Sequence, residues 1–236
     1  MPEDKSLYFY GKLYSRLFDG QNSETRKITV EIIPNDSSVL DIACGTGQLC
    51  FDLKKEKNCR VTGLDLSVRM LDFAGKISPY KDIEFIHGDA TDLSQFGKKS
   101  FDFATIHLLL HEVNRSQQIA ILREALQVAG KVLMIDAASP LPRNAYGMGI
   151  RVVEATFGQD HYHNFKGFLS GGGINGIITD SGLNILNEYS SVFRKGCRQV
   201  VIVSQKTEPA SDLRKVDYLI KTGGHISGQD FCCPPF

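Results

Sequence analysis

The stretch Val39-Leu40-Asp41-Ile42-Ala43-Cys44-Gly45-Thr46-Gly47-Gln48-Leu49 organises the reading of the chain. Val39 to Ala43 is a short apolar run broken only by Asp41, entered from the turn-forming Pro34-Asn35-Asp36-Ser37, and reads as a buried strand. Gly45 to Gly47 interrupt it, and Gln48 to Lys55 can start a helix. Glycine carries no Cβ. A strand that ends in Gly-Thr-Gly and turns into a helix therefore brings backbone N–H groups close to whatever occupies the crevice there.

Working outward, the same alternation recurs. Arg60 to Asp65 is a second strand, followed by Ser67 as an N-cap and a helix through Met70, Leu71 and Ala74. Ile83 to His87 alternates as a third strand and Phe101 to Ile106 as a fourth. Ser116 to Ala129 reads as a helix with Ile119, Leu122, Ala125 and Leu126 on one face, and Lys131 to Asp136 as a fifth strand. Strands that alternate with helices, and that are apolar enough for burial on two faces, predict a doubly wound, Rossmann-like α/β sheet with helices on both faces. Leu183 to Phe193 and Gln199 to Ser204, around Lys195-Gly196, predict a closing antiparallel hairpin, making about seven strands in all.

The chain reads as a single domain. An N-terminal helical cap (1–34) precedes the cofactor-binding core (35–137). Residues 138–180, with Pro140, Pro142, many aromatics and His161-Tyr162-His163, read as a lid or helical insert, including a helix from Ile174 to Ser181. A tail from 206 to 236 carries Cys232-Cys233 and no sign of chemistry.

Composition excludes several classes. Lys plus Arg (27) equals Asp plus Glu (27), so no basic nucleic-acid footprint or polybasic anchor exists at whole-chain level. No apolar run is long enough for a membrane span, and the first residues do not lead into a signal-peptide core, which points to a cytoplasmic protein. The 6 cysteines are too scattered for a disulfide scaffold. Neither a Cys/His set with zinc spacing nor His-Glu-x-x-His is present, since His111 is followed by Glu112-Val113-Asn114-Arg115, so no metal is expected. The oligomeric state stays open, a homodimer among the options.

The crevice chemistry is more specific. Asp65 ends the second strand 18 residues beyond Gly47, where an acid can accept hydrogen bonds from both ribose hydroxyls. A dinucleotide fingerprint would place glycine at Cys50, and no Gly-Lys-Ser/Thr follows for a P-loop. Asp41 would repel a diphosphate and favour a ligand with positive charge. These observations point to a cationic, nucleoside-containing cofactor.

Asp41-x-x-x-Gly45-x-Gly47, then Asp65-Leu66-Ser67, then Gly88-Asp89-Ala90-Thr91-Asp92-Leu93 resemble the successive cofactor motifs of class I S-adenosylmethionine-dependent methyltransferases. Their spacing is similar to the small-molecule branch that includes ubiquinone and menaquinone biosynthesis enzymes. The resemblance implies S-adenosyl-L-methionine as cofactor and S-adenosyl-L-homocysteine as product. It implies that Gly45 and Gly47 line the methionine moiety, that Asp65 holds the ribose, and that Asp89 with Ala90 meets the adenine amino edge. Leu66 and Met70 would flank the adenine ring, His107 would lie beside the sulfonium, and Tyr14 would close over the cofactor from an N-terminal helix.

Methyl transfer from a sulfonium needs alignment and exclusion of water, with a base where the acceptor must lose a proton. Position at the strand ends makes His107 and His111 the catalytic candidates, with Glu112, Asp136, His161 and His163 nearby. The Asn/Asp-Pro-Pro-aromatic signature that the resemblance associates with amino methylation of bases or glutamine is replaced by Ile106-His107-Leu108-Leu109, which argues against the nitrogen of an adenine or amide and leaves O, C, S or other N open. The neutral chain, with no added nucleic-acid-reading module, argues for a small-molecule acceptor and against nucleic acid. A binding module without turnover and a nicotinamide oxidoreductase on the same architecture are the alternatives.

Overall fold

A computed structural model describes residues 23–193 and 195–206; Tyr14 and the Cys232-Cys233 tail lie outside the described residues. Helix α1 (Ser23–Ile32) leads into β1 (Ser38–Ile42), α2 (Gln48–Lys57), β2 (Arg60–Asp65), α3 (Val68–Ile77) and β3 (Glu84–His87). Then come β4 (Phe101–His107), α4 (Arg115–Val128) and β5 (Ala129–Ala137). Helices α5 (Ala145–Ala155), α6 (Gln159–Ser170) and α7 (Gly173–Asp180) precede β6 (Ile185–Phe193) and β7 (Arg198–Gln205).

The strands form one sheet in the order β3-β2-β1-β4-β5-β7-β6. The first five run parallel, while β7 is antiparallel to both β5 and β6. This is the doubly wound sheet with a closing hairpin that the alternation predicts. After β1 the chain crosses to one side of the sheet and after β4 to the other. The carboxyl ends of these two neighbours therefore diverge and open the crevice where α/β sheets bind ligands.

Helices cover both faces. On one, Leu49, Cys50 and Leu53 of α2 and Leu71 of α3 pack with Val39 and Val61. Ile28 and Ile32 of α1 pack against Leu133, Ile135, Val200 and Ile202. On the other, Ile121, Leu122 and Ala125 of α4 join Phe165 and Phe168 of α6 and Ile174 and Ile177 of α7. The segment after Asp136 is thus helical, and its α6 and α7 belong to the core; only α5 stands outward, with Tyr146, Met148, Val152 and Val153 exposed. Asn114 starts α4 with a reciprocal capping box to Gln117, one turn before the buried face begins. No helix among the described residues is long and apolar enough to cross a membrane.

One packing detail bears directly on the crevice. Gly63 of β2 lies between Asp41 of β1 and Phe85 of β3 in the register. A Cβ there would sit 2.8 Å from Cys44 Sγ and 2.9 Å from the Phe85 ring. Gly63→Ala is expected to lower stability by about 1–3 kcal/mol, as overpacking does, read by denaturant or thermal unfolding.

Candidate functional site at the carboxyl ends of β1, β2, β4 and β5

The loop after β1 is built from left-handed backbone, with φ of 60° at Ala43, 53° at Gly45 and 75° at Gly47. The two glycines serve different purposes. At Gly47 a Cβ would meet the Phe85 ring at 3.0 Å and Ala74 at 3.2 Å, whereas at Gly45 it would meet nothing within 4 Å. Gly47 is demanded by packing; Gly45 borders open space. Asp65 ties this loop to the end of β2. Its Oδ2 accepts the Gly45 N–H at 2.8 Å and its Oδ1 accepts the Ser67 N–H at 2.8 Å. A carboxylate oxygen can accept more than one donor, and these two bonds fix Asp65 in position at the crevice edge. Beside it Leu66 and Val68 are exposed, 66% and 52%, while Met70 is buried. Asp89, beyond β3, is exposed and accepts from the Thr91 N–H and hydroxyl; Ala90 packs partly into the core. The space at Gly45 beside a pre-set carboxylate and an apolar flank suits an adenosine-bearing group.

Asp41 is buried, and its oxygens are engaged inside the sheet, accepting from the Thr105 hydroxyl at 2.7 Å and the Cys50 thiol at 3.4 Å. Burial raises its carboxyl to about 6, opposed by those hydrogen bonds and helped by the nearby charge of Asp65. An unfolded aspartate titrates near the ordinary value of about 4. Between the two values the folded chain keeps a proton the unfolded chain has lost, so stability falls as pH rises through about 4 to 6 and stays lower above. Asp41→Asn is expected to flatten that window and to raise stability at neutral pH by about 1–3 kcal/mol, read by urea unfolding across pH.

The other side of the crevice is histidine-rich. His107, half-buried at the end of β4, sits under α1, its Nε2 2.9 Å from Thr29 Oγ1. That hydroxyl donates to the Thr25 carbonyl, so the imidazole N–H donates to Thr29. Loss of water contact, with Arg26 nearby, pulls His107 down to about 4 despite Asp136, leaving a neutral ring at physiological pH. His111 is buried in the turn before α4. Its Nδ1–H donates to Asp136 Oδ1 at 2.7 Å, and Asp136 also accepts from the His111 and Ala137 backbone N–H groups. Burial lowers the His111 imidazole, but the charge and hydrogen bond of Asp136 outweigh it and lift the group to about 9. Asp136, burial notwithstanding, is held below the usual carboxylate range by His111 and its N–H donors.

The structure separates the two insert histidines. His161 Nε2 lies 2.6 Å from Glu154 Oε2, and that same oxygen is 3.6 Å from His111 Nε2, whereas His163 is exposed. Glu154 and Thr29 are the residues that sequence reasoning missed. Glu154 left no signal in the sequence: that the valines of Val152-Val153-Glu154 are exposed and the glutamate is buried, the reverse of an ordinary amphipathic helix, is visible only in the structure.

Residues 39–131 match the family model described as a methyltransferase domain. The demethylmenaquinone methyltransferase of Thermotoga maritima is 36% identical over 143 residues, which cover 58% of this chain and 60% of the relative. The match thus spans less than two thirds of that relative's length. The demethylmenaquinone methyltransferase of Bacillus licheniformis is 29% identical over 168 residues, 66% of this chain and 71% of the relative. Among solved structures, a Pyrococcus horikoshii protein superposes with a TM-score of 0.63 at 20% identity, covering 83% of this chain and 99% of that one. At that identity the likeness concerns the fold.

Proposed function

We propose that the chain, whose residues 39–131 match a methyltransferase-domain family model, is a class I methyltransferase that transfers a methyl group from S-adenosylmethionine to a small-molecule acceptor. The carrying observation is the Gly45 N–H donated to Asp65 at 2.8 Å, which joins the glycine loop and the strand-end acid into one preformed edge of the crevice.

In this reading Gly45 and Gly47 border the methionine moiety and Asp65 takes the ribose hydroxyls. Leu66 and Met70 flank the adenine, Asp89 and Ala90 meet its amino edge, and Asp41 contributes negative potential from behind the loop. The bound cofactor supplies an activated methyl group, so the protein's task is alignment and exclusion of water. His107, neutral and anchored to Thr29 of α1, forms the wall between cofactor and acceptor. His111 is the acceptor-side catalytic residue. Asp136 fixes its ring through Nδ1, which leaves Nε2 free of any hydrogen bond to Glu154 at 3.6 Å and available to an oxygen or nitrogen of the acceptor. Residues 138–180, above all α5, shape acceptor choice.

The test is S-adenosylhomocysteine release from labelled S-adenosylmethionine over a panel of hydroxylated, phenolic and activated-carbon metabolites. Acceptor-dependent release supports the proposal. Stoichiometric cofactor binding with no release for any acceptor, or transfer to nucleic acid alone, contradicts it.

A further inference from the structure

His111, Glu154 and His161 come from three separate segments, the turn after β4, the end of α5 and the first turn of α6. Their ligand-type atoms nevertheless lie within 4.8 Å of one another. We propose that these three side chains form a binding site for a first-row divalent metal ion of the zinc class, with Asp136 as the positioning residue behind His111.

The donor distances fit. Metal–nitrogen and metal–oxygen bonds of about 2.0–2.2 Å place neighbouring donors roughly 3 Å apart. The observed separations from Glu154 Oε2, 2.6 Å to His161 Nε2 and 3.6 Å to His111 Nε2, bracket that value. Side-chain rotations would bring the three donors, all within 4.8 Å of one another, onto one ion. The donor set of two imidazoles and one carboxylate suits zinc, cobalt or ferrous iron and not magnesium or calcium, which take oxygen ligands.

The surroundings have the features that metal-binding histidines require. His111 gives its Nδ1–H to Asp136 Oδ1 at 2.7 Å, which fixes the ring with Nε2 turned toward the cluster. The rings of Phe165 and Phe168 stand edge-on to His111 at 5.8 and 6.4 Å, and Phe157 lies 5.2 Å from His161, so the site is walled by apolar groups. Glu154 is 7% exposed, and its carboxylate faces the two imidazoles. A divalent ion would balance the carboxylates of the buried Glu154 and Asp136. Three protein ligands leave a coordination position for water or for an oxygen of a small molecule. The inference rests on the donors and not on methyl transfer; with an ion bound, its open coordination position, rather than His111 Nε2, would face an acceptor.

The experiment uses the full chain, stripped with a chelator and titrated with ZnCl2 by calorimetry and with CoCl2 by visible absorption. The expected result is one ion per chain and a cobalt spectrum without a thiolate charge-transfer band. Glu154→Gln and His161→Ala, with unchanged circular dichroism, should weaken binding by about a hundredfold or more, and Asp136→Asn by about 10–100-fold. His161, partly exposed at 13%, is the variant least able to disturb folding. Absence of stoichiometric binding, a thiolate band, or affinity untouched by both Glu154→Gln and His161→Ala would overturn the proposal and leave the cluster as a chain of hydrogen bonds.

Discussion

Replacing Asp65 with alanine is expected to weaken S-adenosylhomocysteine binding by at least about a hundredfold, roughly 3 kcal/mol, from two hydrogen bonds to a charged acceptor. The loss has a second source in the protein itself. Asp65 accepts the N–H groups of Gly45 and Ser67, so its removal also releases the glycine loop from the end of β2. Asp65→Asn separates the two. The amide keeps one acceptor oxygen but turns an NH2 group toward one of the two backbone donors, so affinity should fall by a smaller factor while the melting temperature stays closer to wild type. Calorimetry paired with thermal unfolding reads both quantities. Unchanged affinity in Asp65→Ala would remove the acid from the cofactor site.

The second large effect concerns His111. Asp136 is fully buried and pairs with His111 at 2.7 Å. His111→Ala therefore strands a buried carboxylate and is expected to destabilise the fold by about 3–5 kcal/mol. The double variant His111→Ala, Asp136→Ala should recover part of that loss, because the stranded charge is gone. Where the single variant stays folded, methyl transfer should drop by about 100-fold or more while S-adenosylhomocysteine affinity changes only a few-fold. Equal losses in both would place His111 in cofactor binding; unchanged turnover would remove it from the reaction.

Much of the fold was legible because local signals agree with one another. The apolar runs at Val39 to Ile42 and Lys131 to Asp136 are central parallel strands, and Ser67 caps α3 by accepting the Met70 N–H as its position suggests. The crevice edge was legible for the same reason, since its glycines and acids lie at strand ends that the alternation already marks. The histidine cluster was legible only in part: His111, Asp136 and His161 stand out as candidates in the sequence, whereas Glu154 and the meeting of the four do not. His111, Asp136, Glu154 and His161 meet only because α5 and α6 fold back over β4 and β5, and no linear spacing links them. The hydrogen bond between His107 and Thr29 spans 78 residues and depends on where α1 crosses the sheet, which periodicity does not encode. Residues 138–180, expected as a lid or helical insert, hold the three helices α5, α6 and α7, and Phe165 and Phe168 of α6 are core residues that the weak periodicity there did not mark as such.

The most direct test of the whole account is a calorimetric comparison of S-adenosylmethionine, S-adenosylhomocysteine and NAD on the same preparation. The account predicts single-site binding of both sulfur nucleosides and no measurable heat with NAD. Saturable NAD binding with no response to either sulfur nucleoside would contradict it.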